Sequence, residues 1–223
     1  MASLRGLPAG EALNAFAGPL SRFFARGDDA EADRLVAGVE LWREHLCSAV
    51  APKVAAQLVW DERAPVAADC DLGAAGLPAL RLFAFYAERT DLELPDTVPA
   101  LLELDREWRA AADAKFERSR YGHLLACRVW LPGDFPVTLR APLPDGEAAE
   151  IGSLAVLRDQ LKWLNDRTFA AEAATIAAWR ALPAPAGGEL LAAARRGYAG
   201  LAAAAAAAVA TGVPLLLREV DQA

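Results

Sequence analysis

The chain has 223 residues, 55% of them hydrophobic, and 30 acidic against 23 basic side chains give a formal net charge of −7. That length fits one domain over residues 1–223, with no need of a metal or disulfide staple, because a chain of this size buries roughly 70% of its unfolded surface. No clustered Lys/Arg run is present, which argues against nucleic acid and an anionic membrane surface as partners. The acidic balance suits a partner with a basic surface.

Cys47, Cys70 and Cys127 are scattered, odd in number and without C-x-x-C spacing, which predicts free thiols in a reducing compartment. The opening MASLRGLPAGEALNAF lacks the continuous apolar core of a signal peptide. Together these predict a cytoplasmic protein. Residues 197–217 carry no charge, and about 20 residues would cross a bilayer. Seven of them are one alanine run, however, and spanning segments are dominated by Leu, Ile, Val and Phe. The expected role is a buried helix packed through its alanines, with no membrane anchor.

In chain order, apolar periodicity predicts a first helix over 9–26, closing at Gly27. Asp28 or Asp29 then caps a second helix to Val50, with Leu35, Val39, Trp42 and Leu46 on one stripe. Pro52 opens a continuation through Val54, Leu58 and Trp60, and a loop follows. A third helix runs from Leu77 to Thr90. A fourth opens at Pro95-Asp96-Thr97 and runs to Arg120, burying Leu101, Leu104, Trp108 and Ala112.

Residues 122–151 break this pattern. Leu125, Cys127, Val129 and Leu131 alternate with Ala126, Arg128 and Trp130, as in a strand. Pro132-Gly133-Asp134 turns the chain, and Phe135, Val137 and Leu139 form a second strand that its prolines confine to an edge. Pro144-Asp145-Gly146 is another turn, and Glu147–Ile151 forms a third short strand. Ser153 caps a long helix over 154–182. The linker PAPAGG precedes a last helix over 189–211, and the tail PLLLREV reads as a strand able to join the central hairpin. The expected fold class is mainly α: an irregular bundle of about six helices with a small antiparallel hairpin or three-stranded sheet inserted at about 122–151.

No catalytic signature appears. The chain's two histidines, His45 and His123, form no paired metal-ligand spacing with its cysteines, which predicts no metal and no cofactor. On a strand, His123 and Cys127 would stand about 13 Å apart, too far for a thiol–base pair. Ser153 lies outside any G-x-S-x-G elbow, and Gly187-Gly188 lacks the Walker lysine. The pairs Glu103/Glu107 and Asp113/Glu117 interleave with Arg106, Arg109, Lys115, Arg118 and Arg120, the pattern of a solvated, salt-bridged helix.

Four of six tryptophans sit on apolar stripes; Trp130 and Trp163 do not. Trp130 shares a strand side with Arg128, and Trp163 lies near Arg167. Aromatics beside arginine are enriched at the energetic centres of interfaces. Arg128, Trp130, Trp163 and Arg167 are therefore the candidate binding residues of a non-catalytic cytosolic protein-binding module, a regulator, inhibitor or immunity-type partner. Its partner is expected to be a protein; a homo-oligomer is also compatible. The alternative is a small-molecule-binding protein or enzyme with an inter-helix cavity near Tyr86, Trp108, Tyr121, His123 and Arg128.

Overall fold

The computed structural model describes residues 12–25, 29–51, 54, 57–182 and 188–219. Among them a six-stranded mixed sheet runs through the molecule, in the order β2-β1-β6-β3-β5-β4. Its strands are β1 (Leu13–Ala17), β2 (Ala68–Asp71), β3 (Val129–Leu131), β4 (Leu139–Pro142), β5 (Ala148–Ser153) and β6 (Leu215–Glu219). Only β3 and β5 are parallel; the remaining neighbours are antiparallel. The helices are α1 (Leu20–Phe24), α2 (Asp29–Val50), α3 (Gly76–Ala87), α4 (Arg106–Asp113), α5 (Gly122–Ala126), α6 (Leu154–Leu164), α7 (Ala173–Ala181) and α8 (Leu190–Thr211).

This overturns the expected mainly α bundle with a small insert. The sheet is a full layer with apolar packing on both faces. Leu13, Ala15 and Ala17 of β1, Trp130 of β3, and Leu215 and Leu217 of β6 face one core, with α3, α5, α6 and α8. Phe16, Val129, Leu131, Ile151 and Leu216 face a second core, with Val39, Leu46 and Val50 of α2. The tail segment is thus a central strand, buried on both sides, and it pairs with β3 of the insert as well as with β1.

The first predicted helix fails where β1 lies. LNAFA is alanine-rich, but its period is two: Leu13, Ala15 and Ala17 point to one core and Phe16 to the other. The predicted loop after Trp60 contains β2, an edge strand whose Asp69 and Asp71 are exposed. The fourth predicted helix shrinks to α4, because Asp105 caps it by accepting from the Trp108 N–H at 2.8 Å. Leu101 and Leu104 are consequently exposed rather than buried. The predicted helix over 154–182 breaks after α6 in a wide turn ending at Ala170, which is left-handed at φ 46°. The expected closure at Gly27, the Pro52 start and most of the PAPAGG linker lie outside the described residues.

The tightest packing joins α3 and α8. A Cβ placed on Gly197 would stand 2.1 Å from the Gly76 carbonyl oxygen, so the two helices meet through bare backbone. Ala193, Ala194, Ala204, Ala205 and Ala208 of α8 are all buried. No helix among the described residues is long and apolar enough to cross a membrane.

Candidate functional site

The insert does not begin with a strand: residues 122–126 form α5, and its first strand is confined to Val129–Leu131. That corrects the spacing of His123 and Cys127, which now face the same glycine. A Cβ on Gly152 would lie 2.8 Å from both Cys127 Sγ and His123 Nδ1, and 3.0 Å from Trp130 Cδ1. His123 is buried, and both ring nitrogens are engaged. Nδ1 accepts from the Ser153 N–H at 3.0 Å, so Nε2 carries the proton and donates to the Pro136 carbonyl at 3.2 Å. Burial pushes the His123 pKa down and the Cys127 thiol strongly up. Ser153 Oγ donates to the Gly133 carbonyl at 2.7 Å and accepts from the Val156 N–H at 3.2 Å. The group is a knot that holds β3, β5 and α6 together; its nucleophiles and base are spent on structure. No cluster of three or more His, Cys, Asp or Glu side chains suited to a metal ion occurs among the described residues.

The exposed chemistry lies on the face formed by α6 and the segment before α5. Trp163 is 40% exposed. The Arg167 guanidinium sits 4.6 Å from its ring centroid and that of Arg120 6.0 Å away. Together with Arg118, Arg89, Tyr121 and Glu88 they line an open cavity of about 500 Å³. A second hollow of about 400 Å³ lies against Trp163 and Arg120, lined also by Val156, Asp159 and Gln160. Trp163 therefore stands as a ridge between two concave surfaces. Among the described residues Arg118, Arg120 and Arg167 make no ion pair. Glu88, the one carboxylate on the wall of the larger hollow, is already taken. It accepts from Arg89 Nη1 at 3.0 Å and from the Arg120 N–H at 2.9 Å. The Tyr121 phenol is pushed up by burial and by Glu88, against the opposing pull of Arg120 and Arg167.

A smaller cavity of about 190 Å³ opens between α3, α4 and α5. Leu102, Trp108, Phe116 and Leu125 give it apolar walls, and Arg81, Lys115, Arg128, Glu103 and Glu150 add charge. Two consecutive wall residues, Lys115 and Phe116, hold left-handed backbone at φ 54° and 53°, a conformation that disfavours non-glycine residues.

The four residues expected to form one binding surface are separated. Trp163 and Arg167 share a face. Trp130 is fully buried, its Nε1–H donating to the His123 carbonyl at 3.0 Å, so it is core and not an exposed anchor. Because the sheet is covered on both faces, the Arg128 side of β3 offers no exit to solvent for an indole. Arg128 itself reaches Glu219 at 3.4 Å, at the end of β6. The five residues of the alternative cavity are likewise split. Trp108 and Arg128 line the smaller cavity, and Tyr121 the Arg-rich one. The Tyr86 hydroxyl donates to Asp105 at 2.7 Å, and His123 belongs to the knot.

Sequence reading missed Arg118 and Arg120 as site residues by assigning them to a salt-bridged helix. The helix ends at Asp113, and Arg106, Arg109, Lys115, Arg118 and Arg120 form no ion pairs among the described residues. Arg81 was missed because it lies within an otherwise apolar helical run; a lone arginine in LPALRLFAF was its only signal. The chain matches no family model, no curated protein and no solved structure, so its function is argued from this geometry.

Proposed function

We propose that this chain is a non-catalytic, cytoplasmic protein-binding module whose Trp163 face receives an acidic segment of a partner protein. The observation that carries the reading is the half-exposed Trp163 ring set among guanidinium groups that make no ion pair among the described residues. Arginine and tryptophan dominate the energetic centres of interfaces. A guanidinium stacked on an indole still presents its planar fork to a carboxylate. In a chain of net charge −7, a local cluster of arginines without ion pairs among the described residues also supplies an orienting field for an acidic segment. The basic-surfaced partner expected from the overall charge is thus replaced, at this face, by one of opposite sign. Three free cysteines are in keeping with a reducing compartment.

The test is fluorescence polarisation with a labelled glutamate-rich peptide, using the full chain at low salt. Binding should weaken as salt rises, because exposed charges are screened. Trp163→Ala should weaken it about thirtyfold, the equivalent of about 2 kcal/mol at an interface anchor. No saturable binding at low salt, or equal affinity for the variant, would overturn the proposal.

A further inference from the structure

Arg81 is a buried cation that is met by backbone carbonyls and by no carboxylate among the described residues. It is 6% exposed, on a helix whose other residues from Gly76 to Phe85 are also buried. Its Nε donates to the Leu124 carbonyl at 3.0 Å and Nη2 to the Cys127 carbonyl at 2.5 Å. It makes no ion pair among the described residues. Nη1 makes no hydrogen bond among the described residues, yet it is not sealed in the interior. A buried charge is normally paired, because desolvation without a counter-charge is strongly unfavourable. Burial pushes this guanidinium down to about 10, with Cys127 opposing the shift and Arg128 adding to it, so it remains a cation at neutral pH.

Arg81 lines the cavity of about 190 Å³. That space is of the order of the ~150 Å³ apolar cavity able to hold a benzene ring. The apolar side is Leu102, Trp108, Phe116 and Leu125; the charged groups are Arg81, Lys115 and Arg128 against Glu103 and Glu150, an excess of one positive charge. Glu150 is partly occupied by Arg140 at 3.5 Å and Arg128 by Glu219 at 3.4 Å, so the two outside partners cancel and Arg81 and Lys115 against Glu103 keep the excess of one. The wall is complementary to a ring-sized apolar body bearing a single negative charge.

We propose that this cavity is a binding site for a small monocarboxylic acid with an aromatic or compact aliphatic body, its carboxylate accepting from Arg81 Nη1. A carboxylate fits better than a phosphate monoester. It brings one charge to a wall with one in excess, and a guanidinium matches its planar geometry. The site is separate from the Trp163 face and does not depend on the reading given to that face.

The test is titration of the protein with benzoate and with benzamide, its uncharged isostere, followed by intrinsic tryptophan fluorescence, to which Trp108 contributes, and by calorimetry. Benzoate should bind one to one with a Kd below about 1 mM, the range open to a ligand of this size. Benzamide should bind at least about tenfold more weakly, since it offers no charge to Arg81. Ala112→Leu, which fills the cavity from α4 and leaves Arg81 in place, should abolish benzoate binding while the fold is retained by circular dichroism. Arg81→Met should erase the preference for benzoate over benzamide. Should Arg81→Met fail to fold, Ala112→Leu and the benzamide comparison still decide the matter. Absence of saturable benzoate binding, equal affinity for benzamide, or unchanged binding in Ala112→Leu would each overturn the proposal.

Discussion

Gly197 of α8 and Gly76 of α3 touch backbone to backbone: a Cβ at 197 would lie 2.1 Å from the Gly76 oxygen and 2.4 Å from its carbonyl carbon. Neither group can rotate away, so Gly197→Ala must push the two most extensively packed helices apart. The expected loss is about 3 kcal/mol, the upper end of ordinary overpacking. In a chain of this size that corresponds to a drop in Tm of about 6–12 °C. Thermal unfolding followed by circular dichroism measures it; a Tm within about 2 °C of the parent would show that the helices separate freely.

The two tryptophans that sequence placed in one surface should behave oppositely. Trp130 is fully buried and hydrogen-bonded, so Trp130→Ala leaves a large cavity and removes one of the two hydrogen bonds to the His123 carbonyl, which keeps that from the Cys127 N–H, for a loss of about 3–5 kcal/mol. Trp163 is 40% exposed, and Trp163→Ala should shift stability by under about 1 kcal/mol. Urea denaturation of both variants distinguishes them. Equal losses would place Trp163 in the core and remove it from any interface.

His123 makes stability pH-dependent in a definite direction. Burial holds its folded pKa below the ordinary 6.5, so as pH falls the unfolded chain takes up the proton first. Its contribution is intact above about pH 6.5 and is lost as pH falls from there towards the lower folded value. One such group changes the unfolding free energy by at most about 1.4 kcal/mol per pH unit. Denaturant unfolding between pH 7.5 and 5 should show this decline, and His123→Asn should remove its share. A parent protein that gains stability over that interval would contradict the buried neutral imidazole.

Ser153 both caps α6 and ties it to Gly133, through bonds of 3.2 and 2.7 Å. Ser153→Ala should therefore cost about 1–2 kcal/mol, and Ser153→Thr should recover part of it if the buried site accepts the methyl group. A neutral Ser153→Ala in chemical denaturation would mean that neither bond carries weight.

Local signals were legible in the sequence wherever local physics decided the outcome. The helix from Asp29 to Val50, the Ser153 cap and a tail strand joining the insert could all be read from composition, caps and period. What escaped depended on distant partners. LNAFA and AADCD have little intrinsic strand preference; they are extended because β6 and one another supply the ladder bonds. The same holds at the site. Alternation along 125–131 separates the two sides of a strand, but it does not reveal that helices cover both, which is what buries Trp130. Trp163 was legible because it lies off a clear helical stripe; Arg118 and Arg120 were not, because their acidic neighbours suggested pairing that the chain's early exit from α4 prevents.

The position of β6 also dictates an order of events. It lies between β1 and β3 and, among the described residues, is the strand that joins the β2-β1 pair to the β3-β5-β4 ladder. During synthesis, Leu13–Ala17 and Val129–Leu131 are made long before the strand that separates them, and Leu13 must wait for Glu219. Until then the nascent chain carries two open apolar edges, each a template for pairing with another molecule. Contacts of such long sequence separation form slowly. The interval before LLLRE is made and inserted is therefore this protein's window of greatest exposure to aggregation, and a chaperone acting on it would be needed then, while the sheet is one strand short.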